Sequence, residues 1–530
     1  MSVQLKEYIN NYEKPSVEIT YGTAGFRTKA NNLNYVNYTV GILAALRSKY
    51  LKGKTIGVMI TASHNPPEDN GVKFVDPLGS MLESSWEKYA TFLANSSIDE
   101  LKKNIESLID ELNIDLSVTA NLVIARDSRE SSPELSNNTI EGFKSLTNVN
   151  YQDFGLFTTP QLHYVTRCLN DSSFGQPTEQ GYYDKMVKSF KEIFKLTSQQ
   201  SQLEIEIDAA NGVGGPKIKD LLKLLQDEVK FDIINDNYKT PNLLNFDCGA
   251  DFVKTNQKLP KNVQPQENKL YASFDGDADR LICYYQDSNK QFRLLDGDKL
   301  STLIALFLQT IFKSIDKSKL NLKLGVVQTA YANGSSTKYI EQVLKLPVCC
   351  TPTGVKHLHH KAKQEFDIGI YFEANGHGTV IFNPEAEKKI FDYKDENEEE
   401  SKAIKILQNF SQLINQTVGD AISDLLSVLI ILHYLQLKPQ DWNDEYTDLP
   451  NKLIKAIVPD RTIFKTTNAE RTLVEPAGIQ DKIDKYVSEI PNGRSFVRAS
   501  GTEDAVRIYA EADTEENVSK LINSVKSLLE

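Results

Sequence analysis

The chain has little cysteine, fewer bases than acids, and no hydrophobic run of membrane length. Its five cysteines, Cys168, Cys248, Cys283, Cys349 and Cys350, follow no metal-type spacing, and an odd count suits a reducing compartment. The adjacent Cys349-Cys350 pair reads as part of a buried strand rather than a redox site. With 60 Lys+Arg against 72 Asp+Glu the net charge is −12, which argues against a general binder of nucleic acid or of anionic membranes. Anionic small molecules remain possible ligands, because a few Arg and Lys residues can dominate one cleft. No stretch would span a bilayer, Met1 to Asn10 carry no apolar signal region, and no repeat of short fixed period is visible. A cytoplasmic protein that contacts neither nucleic acid nor membrane is expected.

What is present is ordinary globular material in quantity. The 530 residues correspond to three or four domains at roughly 150 residues each. Strand-like apolar runs alternate with helical stretches, the pattern of α/β units. Val36 to Leu51 reads as a helix with Val36, Val40, Leu43 and Ala44 on one buried face. Strands are expected at Thr55–Ile60, Asn121–Ala125, Leu203–Ile207, Tyr271–Phe274, Leu324–Val327, Ile368–Phe372, Ser495–Val497 and Val506–Glu511. Gln176 to Tyr183 marks a first boundary, Asp296-Gly297-Asp298 a second, and Lys438-Pro439-Gln440-Asp441 reads as a linker. The acidic run Asp395 to Glu400 precedes a helix and suits its positive end. Segments 1–180, 181–297, 298–438 and 439–530 are the expected domains.

Thr61-Ala62-Ser63-His64-Asn65-Pro66 directly follows the Thr55–Ile60 strand. Pro66-Pro67 blocks regular structure, and Asn70-Gly71 is expected to turn the chain again. Ser63 therefore stands on a stiff loop at the carboxyl end of a strand, where open α/β sheets bind ligands. A hydroxyl there can carry a group for transfer.

Asp275-Gly276-Asp277-Ala278-Asp279-Arg280 follows the Tyr271–Phe274 strand. Its three alternate carboxylates either form a solvated acidic turn or converge on a hard cation such as Mg²⁺. Arg280 beside them favours a site for metal and phosphate together. Arg498-Ala499-Ser500-Gly501-Thr502-Glu503 offers hydroxyls and loop N–H groups, and Arg498 with Arg507 can clamp phosphate oxygens; an ordinary turn between strands is the alternative. Glu373-Ala374-Asn375-Gly376-His377-Gly378 places a carboxylate and an amide where sugar hydroxyls could be bound, while His377 is either a ligand contact or a packed loop residue. Thr353-Gly354-Val355-Lys356 adds a lysine on a turn, and Lys73 follows Asn70-Gly71; each is a site or a surface lysine. Arg27, in Tyr21-Gly22-Thr23-Ala24-Gly25-Phe26-Arg27, is either a phosphate contact or half of a structural ion pair.

In combination these motifs are specific, and the whole chain resembles the α-D-phosphohexomutases. The matching signatures are Thr-Ala-Ser-His-Asn-Pro, Asp-Gly-Asp-Ala-Asp-Arg and Arg-Ala-Ser-Gly-Thr-Glu. Asn375, where glucose and mannose enzymes typically carry Ser, resembles the acetylglucosamine branch. So does the placement of Ile124-Ala125-Arg126-Asp127 after the serine loop instead of before it.

The resemblance implies four domains around a central cleft, three α/β with mixed sheets and a smaller C-terminal α+β domain. It implies exchange of N-acetylglucosamine 6-phosphate and N-acetylglucosamine 1-phosphate, on the route to UDP-N-acetylglucosamine. Ser63 would start as phosphoserine, pass through a 1,6-bisphosphate, and be refilled from it, with a bisphosphorylated sugar as primer. Mg²⁺ would be held by Ser63, Asp275, Asp277 and Asp279. Lys73, Arg27 and Arg280 would add positive potential, and Lys73, then Lys356 or His64, would serve as acid/base. Thr353, Gly354, Glu373 and Asn375 would face the sugar, and Arg498, Ser500, Gly501, Thr502 and Arg507 the idle phosphate. A monomer or weak dimer is expected. A glucose or mannose phosphomutase, a metal-dependent phosphatase and a non-catalytic sugar-phosphate sensor are the competing readings.

Overall fold

Thr55–Ile60 carries β-branched and aliphatic residues without a charge, and all six are buried. Such a run forms a central strand covered on both faces. It is β2 of a mixed sheet ordered β1-β3-β2-β4-β5, with β1 at Phe26–Lys29, β3 at Asp69–Val75, β4 at Ala120–Arg126 and β5 at Val149–Leu156. β4 runs parallel to β2 with Ile60 opposite Arg126, and β3 runs antiparallel to β2 with Ile60 opposite Val72. The loops that leave β2 and β4 therefore emerge side by side at the carboxyl ends of two parallel strands.

This computed structural model describes residues 12–199, 201–500 and 504–529. The chain divides into two compact units, residues 1–294 with 409–434, and residues 295–408 with 435–530. The first unit holds the sheet above and nearly all of a second, ordered β10-β9-β8-β6-β7. Its strands are β6 (Leu203–Asp208), β7 (Val229–Ile234), β8 (Tyr271–Phe274), β9 (Leu281–Gln286) and β10 (Phe292–Leu295). The second unit holds the sheet β12-β11-β13-β14, built from β11 (Leu324–Thr329), β12 (Val348–Thr351), β13 (Ile368–Phe372) and β14 (Gly378–Phe382). It also holds the antiparallel sheet β15-β19-β18 and the hairpin β16-β17. These are β15 (Asn451–Ile457), β16 (Lys465–Thr467), β17 (Thr472–Glu475), β18 (Arg494–Ala499) and β19 (Ala505–Glu511). Three mixed sheets with helices and one small antiparallel sheet match the fold that the resemblance implies.

Several local expectations need correction. The helix Asn34–Tyr50 is buried along nearly its whole length, not on one face. A Cβ on Gly41 would lie 2.1 Å from the Thr139 carbonyl oxygen, and one on Gly142 2.1 Å from that of Tyr38. The helix thus packs backbone to backbone on Ser132–Lys144 and has no solvent side to keep polar. Asn70-Gly71 does not turn the chain but lies inside β3, where the glycine admits the carbonyls of Phe26 and Thr61, each 2.5 Å from a Cβ placed there. Lys438–Asp441 opens a short helix, Pro439–Asn443, anchored by the buried Trp442. Cys349 and Cys350 do lie in a strand, β12, but are only half-buried. The acidic run opens the helix Glu398–Leu413, with Glu398, Glu399 and Glu400 in its first turn, as the helix dipole favours. Among the described residues no helix is long and apolar enough to cross a membrane.

The helix Ala421–Leu435 belongs to the first unit up to Tyr434 and is buried from Ala421 to His433. Asp420 caps it, accepting from the N–H groups of Ile422 (3.1 Å) and Ser423 (3.2 Å) and from the Tyr182 hydroxyl at 2.8 Å.

Candidate active site

The serine loop and the aspartate loop meet inside the first unit. Ser63 is fully buried, and its hydroxyl donates to Asp275 Oδ2 at 2.5 Å. Its backbone is left-handed, at φ +50°, unusual for a residue with a side chain. The Ser63 N–H donates to Thr61 Oγ1 at 3.0 Å, and the Thr61 hydroxyl donates to Asp127 Oδ2 at 2.8 Å. Gly276 makes the meeting possible, since a Cβ there would fall 2.5 Å from the Ser63 carbonyl oxygen.

The loop 275–280 joins the antiparallel strands β8 and β9. Asp275 Oδ1 accepts from the N–H groups of Asp279 (3.0 Å) and Arg280 (3.2 Å), which folds the loop around that carboxylate. Asp277 is held from the helix Thr159–Asn170, whose Thr159 donates its hydroxyl to Asp277 Oδ2 at 2.6 Å. One oxygen each of Asp275, Asp277 and Asp279 lies within 4.8 Å of the others, and all three residues are buried. Burial, then the charges of Asp279 and Asp277, raise the Asp275 pKa well above the usual carboxylate range.

Cations surround this centre. Lys73 Nζ, carried by β3, is 3.3 Å from Asp279 Oδ2 and 3.5 Å from Asp277 Oδ2. Arg280 Nε is 3.8 Å from Asp275 Oδ2 and from Asp279 Oδ1. Arg27 on β1 is opposed to Gly71, and its buried Nε has no hydrogen-bond partner. Burial, and next the charge of Arg280, depress the Arg27 pKa. His64 Nδ1 is 3.4 Å from Ser63 Oγ, and burial followed by the charges of Arg280 and Arg27 pushes its pKa down to about 2. The imidazole is therefore neutral across physiological pH.

In the second unit the loop 373–377 joins β13 to β14, with Phe372 opposite Gly378. Gly376 sits at φ +87°, which lets its N–H reach back to the Glu373 carbonyl at 2.9 Å. Asn375 Nδ2 is 3.4 Å from Glu373 Oε2, and Asn375 Oδ1 accepts from the buried His377 N–H at 3.0 Å. Lys356 lies in the first turn of the helix Val355–Glu365 rather than on a free turn. Thr353, just before that helix, donates both its N–H (2.9 Å) and its hydroxyl (2.5 Å) to Glu470 Oε2. Arg498 on β18 is directly opposite Arg507 on β19. Two guanidiniums so paired repel unless an anion lies between them. Arg498 Nε donates to the Tyr331 hydroxyl at 2.8 Å and is 3.8 Å from Glu470 Oε2. Ser500 is buried and its N–H donates to the Ala505 carbonyl at 2.8 Å. Gly501 and Thr502, expected in the same cradle, lie outside the described residues.

The structure thus gathers Ser63, His64, Lys73, Arg27, Arg280 and the three aspartates into one centre, and Thr353 and Arg498 about Glu470 in another. Sequence reasoning missed Thr159, Tyr331 and Glu470, and also Arg129 and Asn245, whose side chains donate to the Ser63 carbonyl. Only Arg129 carried a signal, as part of the polar turn that ends β4.

A serine and a carboxylate triad brought together under a ring of cations, on this set of sheets, define an α-D-phosphohexomutase. Family models named Phosphoacetylglucosamine mutase AMG1, domain II and domain III, match residues 173–282 and 296–437. Those of Phosphoglucomutase/phosphomannomutase, alpha/beta/alpha domain I and C-terminal domain, match residues 42–96 with 99–175 and residues 453–527. The phosphoacetylglucosamine mutase of Candida albicans is 70% identical over the whole of both chains. A crystal structure of an N-acetylglucosamine-phosphate mutase in its product complex superposes with TM-score 0.98 at 71% identity, with all of both chains covered. The Aspergillus fumigatus enzyme in complex with GlcNAc-6P and magnesium superposes with TM-score 0.95 at 47% identity over 99% of each chain.

The chain belongs to the phosphoacetylglucosamine mutase family. It is an isomerase, an intramolecular phosphotransferase that interconverts N-acetylglucosamine 6-phosphate and N-acetylglucosamine 1-phosphate.

Proposed function

We propose that Ser63 is the residue that stores and returns the phosphoryl group. The observation that carries this is its buried hydroxyl, 2.5 Å from Asp275, within the one group of three clustered acidic ligands among the described residues. The donor set suits Mg²⁺, a hard cation that takes carboxylate oxygens. Asp277 Oδ1 is buried with no hydrogen-bond partner, a cost that a cation would relieve. Asp275, Asp277 and Asp279, with an oxygen from Ser63, would hold the ion. When bound, it supplies positive charge against the phosphoryl oxygens.

In the forward direction the sugar 1-hydroxyl oxygen bonds to the phosphorus on Ser63, and the bond from phosphorus to Ser63 Oγ breaks. The hydroxyl loses its proton and Oγ gains one, so a 1,6-bisphosphate and a free serine result. The intermediate then presents its 6-phosphate: Oγ bonds to that phosphorus and loses its proton, the bond from phosphorus to the sugar 6-oxygen breaks and that oxygen gains a proton, and N-acetylglucosamine 1-phosphate leaves. Lys73 is the proposed proton carrier, with Lys356 or His64 as the alternative to it. Arg27 and Arg280 offset the negative charge of the transferring group. Glu373 and Asn375, with Thr353 and Gly354, bind the sugar in either orientation. Arg498, Ser500, Gly501, Thr502 and Arg507 hold the phosphate that is not reacting. A bisphosphorylated sugar primes an empty serine. We place the domain boundaries at 1–180, 181–297, 298–438 and 439–530, one loop to each. The five unpaired cysteines support a cytoplasmic enzyme, which we take to be a monomer or weak dimer.

Intact-protein and peptide mass measurement tests this. Incubation with glucose 1,6-bisphosphate should add one phosphate to the Ser63 peptide, and N-acetylglucosamine 6-phosphate should remove it. Phosphate on another residue, or none in an active enzyme, overturns the assignment.

A further inference from the structure

Ser63 pays for its left-handed backbone in conformational energy, about 1 kcal/mol or more for a residue with a Cβ. Such a residue persists only where its surroundings over-determine it. Here two side chains hold the carbonyls of the loop. Arg129 Nη2 donates to the carbonyls of Ser63 and Asn65, each at 2.9 Å. Its Nη1 donates to those of Pro66 (2.6 Å) and Asp69 (2.9 Å), and its Nε to Asp127 Oδ2 (3.1 Å). All five guanidinium hydrogens are thereby used, and the side chain is fully buried.

Asn245 approaches the same two carbonyls from the segment between β7 and β8. Its Nδ2 donates to Ser63 O at 2.9 Å and to Asn65 O at 3.3 Å. Asn245 is itself left-handed, at φ +59°, a conformation asparagine tolerates. A ring is closed on the Ser63 peptide. Its N–H is held by Thr61, Thr61 by Asp127, Asp127 by Arg129, and Arg129 returns to its carbonyl.

Resting on the reading that Ser63 carries the phosphoryl group, we propose that Arg129 and Asn245 are positioning residues for the reaction: they clamp the Ser63 carbonyl so that Oγ keeps its direction while the group it carries comes and goes. Neither group reaches the hydroxyl, so neither is catalytic. Lysine is a poor replacement for Arg129, because an ammonium has three hydrogens where four carbonyls and Asp127 take five bonds.

The test uses Asn245→Gly, which keeps the left-handed backbone and removes the amide, and Arg129→Lys, which keeps the charge. Both are assayed beside Ser63→Ala in the full-length enzyme with glucose 1,6-bisphosphate present. The expected result is a kcat lower by roughly 10- to 100-fold at nearly constant KM, the scale of a misplaced reacting group, with melting temperature held in Asn245→Gly. Phosphate uptake by the Ser63 peptide should slow in the same proportion. A kcat within about threefold of the parent in the folded variants, or a loss that appears in KM instead, overturns the proposal. If neither variant folds, the contacts serve the domain and the proposal also falls. An active Ser63→Ala would instead overturn the assignment of Ser63 itself.

Discussion

Ser63 Oγ and Asp275 Oδ2 stand 2.5 Å apart although 212 residues of chain separate them. One lies in the loop after a strand of the first sheet, the other in the loop after a strand of the second, and the hydroxyl of the first donates to the carboxylate of the second. This contact joins the proposed phosphoryl carrier to the proposed metal ligands.

Ser63→Ala removes the only atom on this loop position that can bond to phosphorus. The fold should survive, because the clamped main chain is untouched. We expect kcat to fall by at least roughly 10⁴-fold, measured by coupled assay of N-acetylglucosamine 1-phosphate, with an unchanged far-ultraviolet circular dichroism spectrum.

Asp277→Asn takes one charge from the carboxylate cluster and keeps its shape, including an oxygen for the Thr159 hydroxyl at Oδ2. Mg²⁺ should bind more weakly by roughly 10- to 100-fold, and activity should fall with it. Titration of activity with Mg²⁺ reads both; an unaltered metal requirement would remove Asp277 from the cation site.

Gly276→Ala places a methyl group 2.5 Å from the Ser63 carbonyl oxygen. The two loops must separate, at an expected cost of about 1–3 kcal/mol. Thermal melting should register the destabilisation, and kcat should fall further than KM changes, since the serine moves from the aspartates.

Arg498→Ala deletes a guanidinium that is directly opposite Arg507. Charge-assisted hydrogen bonds are each worth about 1.5–3 kcal/mol, so KM for the sugar phosphate should rise roughly 10- to 100-fold. An unchanged KM would take this loop out of the substrate site.

Asp420 gives a pH-dependent stability. Burial, opposed by hydrogen bonds from Asn415 and Tyr182, raises its pKa to about 6. A carboxyl whose folded pKa exceeds the unfolded value of 3.8 stabilises the fold fully below the unfolded value. It loses that contribution as pH rises through about 6. A shift of this size corresponds to about 3 kcal/mol. Asp420→Asn, which can still cap the helix, should gain about that much relative to the parent between pH 4 and pH 7, read from urea midpoints. Parallel curves at all pH values would show that Asp420 does not titrate there.

Much of the fold was legible in the chain because its strands are short, apolar and β-rich. Thr55–Ile60 and Ile368–Phe372 are buried at every position and could be nothing else. Periodicity predicts a one-faced helix over Val36 to Leu51, since it records which positions are apolar and not how closely a neighbouring helix approaches. Asn70-Gly71 looked like a turn on local preference, yet the glycine is there to admit two carbonyl oxygens into a strand pair.

The sequence by itself determined the chemistry: a serine at a strand end, alternate aspartates, and a serine and two arginines about a glycine, each legible because loop residue types declare what they can bind. Tertiary structure alone decided which groups meet. That Ser63 faces Asp275, that Lys73 on β3 reaches Asp277 and Asp279, and that Arg129 and Asn245 close on one carbonyl depends on strand order and on the close approach at Gly276. Hydrogen bonds act over about 3 Å, and no pattern along the chain encodes distances between residues so far apart in it.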